Sequence, residues 1–443
     1  MLSVNIVFIV VAVIAFLGFI LNALFDRLRI TSILPLMLIG LAIGPVFHIV
    51  STSTGSVVSE LTPYITALTV AFILFDVGIN MDVAELGRVI RKATEFMLSL
   101  ALLTGVACGL LAFAVFSAVY GWNLLDALIF GFAIAGPSTI IVPTLVKLVR
   151  LPDDLKNTLL YEGVTSDAVQ LVVPSILLGL LAASNVTAGY VADLLIGSIV
   201  GSVILGVISA LFWLRVMNKF SDYSEGYGWT LTITMIIATY GLAQQLGMSG
   251  LFAVFVFGIA FANVGSYKRS SEYIARNEWA ARVVIGTVSR YFSIGGTMVG
   301  HIRSYQREIV FFTSTFFFVY IGLLFSITQL GAVDLLAAAM LTALILFLRS
   351  LAAPLLRGFM TKDDRAMAVE TGVVSVNVGR GLSPAVVATL PLALGIQIPG
   401  LLDLIFLVIL FTNILSSVLL FFIYRPPKRR AQVDGAAIAT AGA

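Results

Sequence analysis

Charge is scarce in this sequence: only 11% of its 443 residues are Asp, Glu, Lys or Arg, while 60% are hydrophobic. A soluble domain carries roughly 25% charged residues, so a chain this apolar reads as a polytopic membrane protein with most of its mass in lipid. There is one cysteine, Cys108, which can form no internal disulfide. The two histidines, His48 and His301, stand far apart and make neither a metal site nor a sensor cluster. No nucleophile–base pair or metal-ligand cluster is visible, which argues against an enzyme and against a bound cofactor. The formal charge of +3 is spread over short loops, so nothing marks a nucleic-acid partner.

What is abundant is apolar runs of spanning length. They fall near residues 4–25, 30–50, 62–80, 96–120, 124–147, 156–183, 189–214, 229–246, 248–264, 309–330, 332–356, 366–391 and 401–424. Residues 1–25 lack a basic leader and read as a retained first helix rather than a signal peptide. With thirteen spans, 25 of the 26 Lys and Arg residues fall on one side of the membrane, in odd-numbered loops, in the spans that flank them or after the last helix, and the even-numbered loops have none. The positive-inside rule then sets the N-terminus outside and the C-terminus in the cytoplasm of a cell-membrane protein. Arg349, Arg357, Lys362 and Arg365 count here as basic residues around the eleventh-to-twelfth turn. Residues 1–425 form one transmembrane domain, with 265–306 as an amphipathic helix along the cytoplasmic interface. Residues 426–443 read as a short basic, disordered tail with no further domain.

Two spans are interrupted in matching places. The fifth contains Ala135-Gly136-Pro137-Ser138-Thr139 and then Pro143; the twelfth contains Asn377-Val378-Gly379-Arg380-Gly381-Leu382-Ser383-Pro384. Proline removes a backbone donor and glycine tolerates unwinding. Unwound backbone survives at bilayer depth only where it is buried in protein or lines a cavity, and its freed carbonyls can hold a cation. Pairing spans 1–6 with 8–13 makes the fifth and twelfth equivalent and opposite in direction. The fold class expected is therefore all-α, an inverted repeat with two crossed discontinuous helices, which is the architecture of a secondary transporter.

The one cation expected at bilayer depth is Arg380, and such a charge marks the working part of a membrane protein. The sixth span carries Glu162 and Asp167, five residues and so about 140° apart round the helix. A Glu162–Arg380 ion pair is expected to tie the crossing together, leaving Asp167 as the titrating group. Desolvation favours the neutral acid and an arriving cation favours the ionised one, so proton and cation compete for one carboxylate. A structural Asp167–Arg380 pair is the alternative. Asp76, near the cytoplasmic end of the third span, either lines an inward funnel or satisfies a helix end; Asp82 reads as solvated and Glu370 as interfacial.

Taken in order, several short motifs resemble the monovalent cation:proton antiporter superfamily, of the NhaP and NapA kind, over most of residues 1–425. They are Pro35, Gly40, Gly44 and Pro45; Leu74-Phe75-Asp76-Val77-Gly78; Leu246-Gly247-Met248-Ser249-Gly250 with Gly258; Phe317-Phe318-Val319-Tyr320-Ile321-Gly322; and Glu162 with Ser166-Asp167. The resemblance implies a homodimer of thirteen-helix protomers, an elevator-like movement, Asp167 as the cation- and proton-binding residue, and a Glu162–Arg380 pair. Departures from the family pattern are visible too. Gly136 stands where many relatives have an acid, Ser166 where they have Asn or Asp, Gly163 where they have Ser, and no lysine accompanies Gly322. With one free carboxylate the expectation is electroneutral exchange of one cation for one proton. The expected ligands are Asp167, Ser166, Ser138, Thr139 and the freed carbonyls near Ala135 and Asn377, with Ala135, Gly136, Pro137, Asn377, Gly379 and Gly381 as the backbone of the two interruptions, so the only metal at Asp167 is the transported ion. Sodium is placed first, with K⁺ and Li⁺ as alternatives, because hard cations favour hard oxygen shells. A sodium-coupled solute symporter on the same fold and a gated cation channel are the competing readings.

Overall fold

A computed structural model describes residues 12–21, 24, 33–48, 57–81, 91–138, 151–182, 188–265, 296–326 and 330–423. Residues 1–11, Asp82, Thr139, Pro143, the stretch 266–295 of the expected interfacial segment and the tail 426–443 lie outside the described residues. Every regular element among the described residues is helical. In chain order they are α1 (Ala12–Leu21), α2 (Ile33–Leu41, continued by a π-turn to Val46), α3 (Val57–Ile79), α4 (Arg91–Tyr120), α5 (Leu124–Ala133), α6 (Asp153–Ala182) and α7 (Ala188–Lys219). Then follow α8 (Ser221–Gln245), α9 (Gly250–Gly265), α10 (Gly296–Leu324), α11 (Ala332–Ala352), α12 (Asp364–Val376), α13 (Leu382–Ala393) and α14 (Leu401–Ile423).

Six of these segments are long and apolar enough to cross a bilayer alone: Leu98–Tyr120, Asp153–Leu181, Val200–Lys219, Gly300–Leu324, Ala332–Phe359 and Leu401–Ile423. Large apolar side chains such as Phe212, Leu351 and Phe421 are more than half exposed on them. Contiguous apolar exposure of that kind belongs to a lipid-facing surface, and the chain is an integral membrane protein.

Lipid supplies no hydrophobic drive for helix association, so close backbone approach has to hold the helices together. Two crossings rely on glycine pairs. A Cβ on Gly40 of α2 would stand 1.9 Å from the Val319 carbonyl oxygen of α10, and one on Gly322 of α10 would stand 2.1 Å from that of Met37. The α3–α9 crossing is built alike: a Cβ on Gly78 would lie 2.4 Å from the Phe255 oxygen, and one on Gly258 2.7 Å from the Phe75 oxygen. Around the second crossing Phe75, Phe257, Phe261, Trp213 and Leu214 pack into a buried cluster.

Three boundaries differ from the hydropathy reading. Helix α5 ends at Ala133 and residues 134–138 leave the helix, and the twelfth span is two helices, α12 and α13, separated by residues 377–381, both at the interruptions expected from glycine and proline. The tenth helix, taken from hydropathy as 309–330, starts at Gly296. The reason is a set of contacts to α3: Arg303 Nε donates to the Ile79 carbonyl at 3.0 Å and Gln306 Nε2 to that of Phe72 at 2.7 Å.

Candidate functional site

α5 begins on a reciprocal capping box between Asn123 and Asp126. Near its other end Gly136 and Pro137 stop the helix, since Pro137 has no N–H to give. Residues 135–138 run on in irregular, buried backbone. The second break opens after Val376 and closes at Gly381, the N-cap of α13. The two breaks touch: Ser138 N donates to the Gly379 carbonyl at 3.1 Å. A Cβ on Gly381 would come within 2.0 Å of Ser138 Oγ, so only glycine allows that approach.

Unwound backbone buried this deep needs partners for its polar groups. α14 provides them with Thr412, Asn413 and Ser416, on one helical face. Thr412 Oγ1 accepts from Arg380 N at 3.3 Å, Asn413 Nδ2 donates to the Arg380 carbonyl at 2.7 Å, and Ser416 Oγ donates to that of Val376 at 2.7 Å. Arg380 itself turns back onto the breaks. Its Nε donates to the Ile134 carbonyl at 2.8 Å and its Nη1 to that of Val378 at 2.7 Å. The guanidinium thus takes up carbonyls that the two interrupted helices release.

The expected Glu162–Arg380 ion pair is corrected. Glu162 on α6 is held instead by Arg349, in the last turn of α11, through both guanidinium nitrogens and both carboxylate oxygens. Both partners are buried, at 2% and 4% exposure. Arg349 Nε also donates to the Val374 carbonyl of α12 at 2.9 Å, so one side chain ties α6, α11 and α12 together. Arg349 is therefore no loop residue. Arg380 cannot take its place without abandoning the carbonyls of Ile134 and Val378.

Asp167 lies one and a half turns further along α6, 4% exposed. Ser383 Oγ, in the first turn of α13, donates to its Oδ1 at 2.7 Å. The carboxylate is thus placed at a helix N-terminus, where the backbone dipole favours negative charge. Ser166 beside it packs on the first break: a Cβ on Gly136 would stand 2.3 Å from Ser166 Cβ and 2.5 Å from its Oγ. The missing acid at position 136 is thus a matter of space as well as charge. Among the expected site residues the structure brings together Ala135, Gly136, Pro137, Ser138, Glu162, Ser166, Asp167, Asn377, Gly379, Arg380 and Gly381; Thr139 lies outside the described residues. Asp76 lies in the last turn of α3, with Asn80 Nδ2 donating to its Oδ1 at 3.2 Å. Glu370 accepts from Thr361 N at 2.8 Å and from Thr361 Oγ1 at 2.6 Å, an anchor for the turn before α12.

A small cavity, about 20 Å³, opens between the breaks and is lined among others by Gly136, Ser166, Glu162, Arg349, Asn377 and Arg380. That is room for about one water. Two fully buried amides, Asn377 and Gln170, have both side-chain polar atoms without a partner. Sequence reading missed Arg349, Ser383, Gln170 and the α14 triplet as contributors. Only the spacing of Gln170, three residues beyond Asp167 and so on its face, was a usable signal.

Residues 11–425 match the family described as sodium/hydrogen exchanger, transmembrane. A putative cation/proton antiporter, YbaL of Escherichia coli (strain K12), is 26% identical over 259 residues, which is 56% of this chain and 44% of that protein. The match thus spans under half the length of that relative. Among solved structures, the sodium proton antiporter MjNhaP1 from Methanocaldococcus jannaschii at pH 8 superposes with a TM-score of 0.69 at 20% identity, over 93% of this chain and 97% of that one. An electron-microscopy structure of the same antiporter gives a TM-score of 0.61 at 18% identity, over 96% and 100% of the two chains.

Proposed function

The chain belongs to the sodium/hydrogen exchanger family, and from that premise we propose that it exchanges a monovalent cation for H⁺ at Asp167. Sodium is the first candidate, with K⁺ and Li⁺ as alternatives. The single observation that carries the site assignment is the placement of Asp167, buried and bonded by Ser383 Oγ at the start of α13, beside two helix breaks joined by Ser138 N and the Gly379 carbonyl.

Four charges set the stoichiometry proposed. Glu162 and Arg349 neutralise each other. Arg380 leaves one positive charge beside the breaks, and ionised Asp167 balances it. The four sum to zero when the site is empty and to +1 when Asp167 holds either a proton or a monovalent cation. The two loaded forms carry equal charge, which supports electroneutral one-for-one exchange. The cation displaces the proton because both need the same oxygen pair; each weakens the other's binding by an equal factor.

The architecture proposed is thirteen spans with the N-terminus outside, the breaks crossed between two inverted halves, moving as an elevator in a homodimer. The glycine crossings support the inverted repeat. Pairing spans 1–6 with 8–13 turns the α2–α10 contact into the α9–α3 contact, and both close on a glycine pair. Removing Arg349 from the loop count leaves the even-numbered loops still without Lys or Arg, which supports the orientation.

Everted vesicles test the reading. With a preformed pH gradient, added Na⁺, K⁺ or Li⁺ collapses it in wild type and leaves it standing in Asp167→Asn. A wild-type response in Asp167→Asn removes Asp167 from the mechanism.

A further inference from the structure

We propose that the Gln170 side chain is a neutral ligand in the coordination shell of the transported cation, and that it sets the preference among monovalent ions. The inference rests on the exchange reading above and deepens it. Gln170 is fully buried, and neither its Oε1 nor its Nε2 has a partner. An amide buried without partners is a standing cost that a bound ion or water removes. Its place is specific. On α6 it follows Asp167 by three residues and Ser166 by four, so the three side chains share one helical face. Its Nε2 lies 3.4 Å from where a Gly136 Cβ would be, while Ser166 Oγ lies 2.5 Å from the same point. The carboxamide and the serine hydroxyl therefore flank Gly136 at the first break. Exchanging the amide's N and O leaves the shape unchanged and turns a carbonyl oxygen toward that space.

The chemistry follows from charge. A carboxylate at this point would add a second anionic oxygen group and favour the small, strongly hydrated ions. A carboxamide offers an oxygen of lower field and leaves Asp167 as the only anionic ligand. Gln170 thus supplies coordination without charge on the side where Gly136 leaves no room for any side chain.

The experiment uses the full-length purified protein. Thermal unfolding midpoints are titrated with NaCl, KCl and LiCl, with choline chloride as the ionic control, and exchange is measured in liposomes. Gln170→Leu removes the polar atoms; Gln170→Glu keeps the shape and adds the charge. The result expected for Gln170→Leu is an unfolding midpoint in choline no lower than wild type, because an unpaired amide is lost. Half-saturation by the cation rises tenfold or more in both assays. Gln170→Glu shifts the Na⁺ to K⁺ preference toward Na⁺ by tenfold or more. Half-saturation and ion preference within twofold of wild type in both variants overturn the proposal and leave Gln170 as a packing or water-binding residue. Failure of the underlying reading shows elsewhere: wild type then lacks cation-driven proton movement, or Asp167→Asn retains it.

Discussion

Removing either partner of the Glu162–Arg349 pair leaves a charge stranded inside the helix bundle, and the consequence is calculable. Breaking a buried pair from one side costs about 3–5 kcal/mol, whereas deleting both charges together is often near neutral. Arg349 has a further task, donating Nε to the Val374 carbonyl on α12. Losing a bond from a charged donor adds about 1.5–3 kcal/mol. Glu162→Leu and Arg349→Met should therefore each destabilise by at least about 3 kcal/mol, while the double variant should lose only about 1.5–3 kcal/mol, the share of the Val374 bond. The assay is a double-mutant cycle on denaturant or thermal unfolding in detergent, repeated with Arg380→Met as the second position. Strong coupling is expected for Glu162 with Arg349 and less than half as much for Glu162 with Arg380, whose hydrogen bonds go to Ile134 and Val378. Additive effects for Glu162 and Arg349, or single variants within about 1 kcal/mol of wild type, would refute the reasoning.

Gly136→Ala forces a methyl group to within 2.3 Å of Ser166 Cβ. It should cost about 1–3 kcal/mol or more by overpacking, and Ser166→Gly should restore part of the folded yield on size-exclusion chromatography. Asn413→Leu strips the Arg380 carbonyl of its α14 donor and should lower stability by about 1–3 kcal/mol, read as an unfolding midpoint. In Gly322→Leu a side chain would meet the Met37 backbone, so little folded protein should be recovered from membranes. Competition at Asp167 makes exchange pH-dependent with a definite sign. Below the carboxyl's own pKa, each unit of falling pH should raise the apparent cation KM about tenfold, measured in liposomes at fixed membrane potential.

Membrane class and the two interruptions were legible because bilayer solvent leaves few choices: apolar runs must be helices, and Gly-Pro clusters in them must unwind. Asp167 stands out in the sequence for the same reason, as a carboxylate where charge is expensive. The partner of Glu162 was not. Arg349 sits at the end of an apolar run beside Arg357, Lys362 and Arg365, and in sequence nothing separates a buried arginine from its loop neighbours. Its role appears only when α11 is laid against α6. The α14 triplet was hidden likewise: Thr412, Asn413 and Ser416 read as minor polarity in an apolar helix until the break at 377–381 is set beside them. The early start of α10 was not legible, because Arg303 reads as interfacial by composition, whereas the Arg303 and Gln306 side chains donate to the backbone of α3.

The shared-site claim is tested most directly by proton release on ion binding. Purified protein in a weakly buffered detergent solution is titrated with NaCl or KCl, with choline chloride as the control, while pH is followed by an indicator dye. The account predicts release approaching one H⁺ per protomer at a pH where Asp167 is protonated, and none from Asp167→Asn. Cation binding without proton release in wild type, or undiminished release from Asp167→Asn, would contradict it.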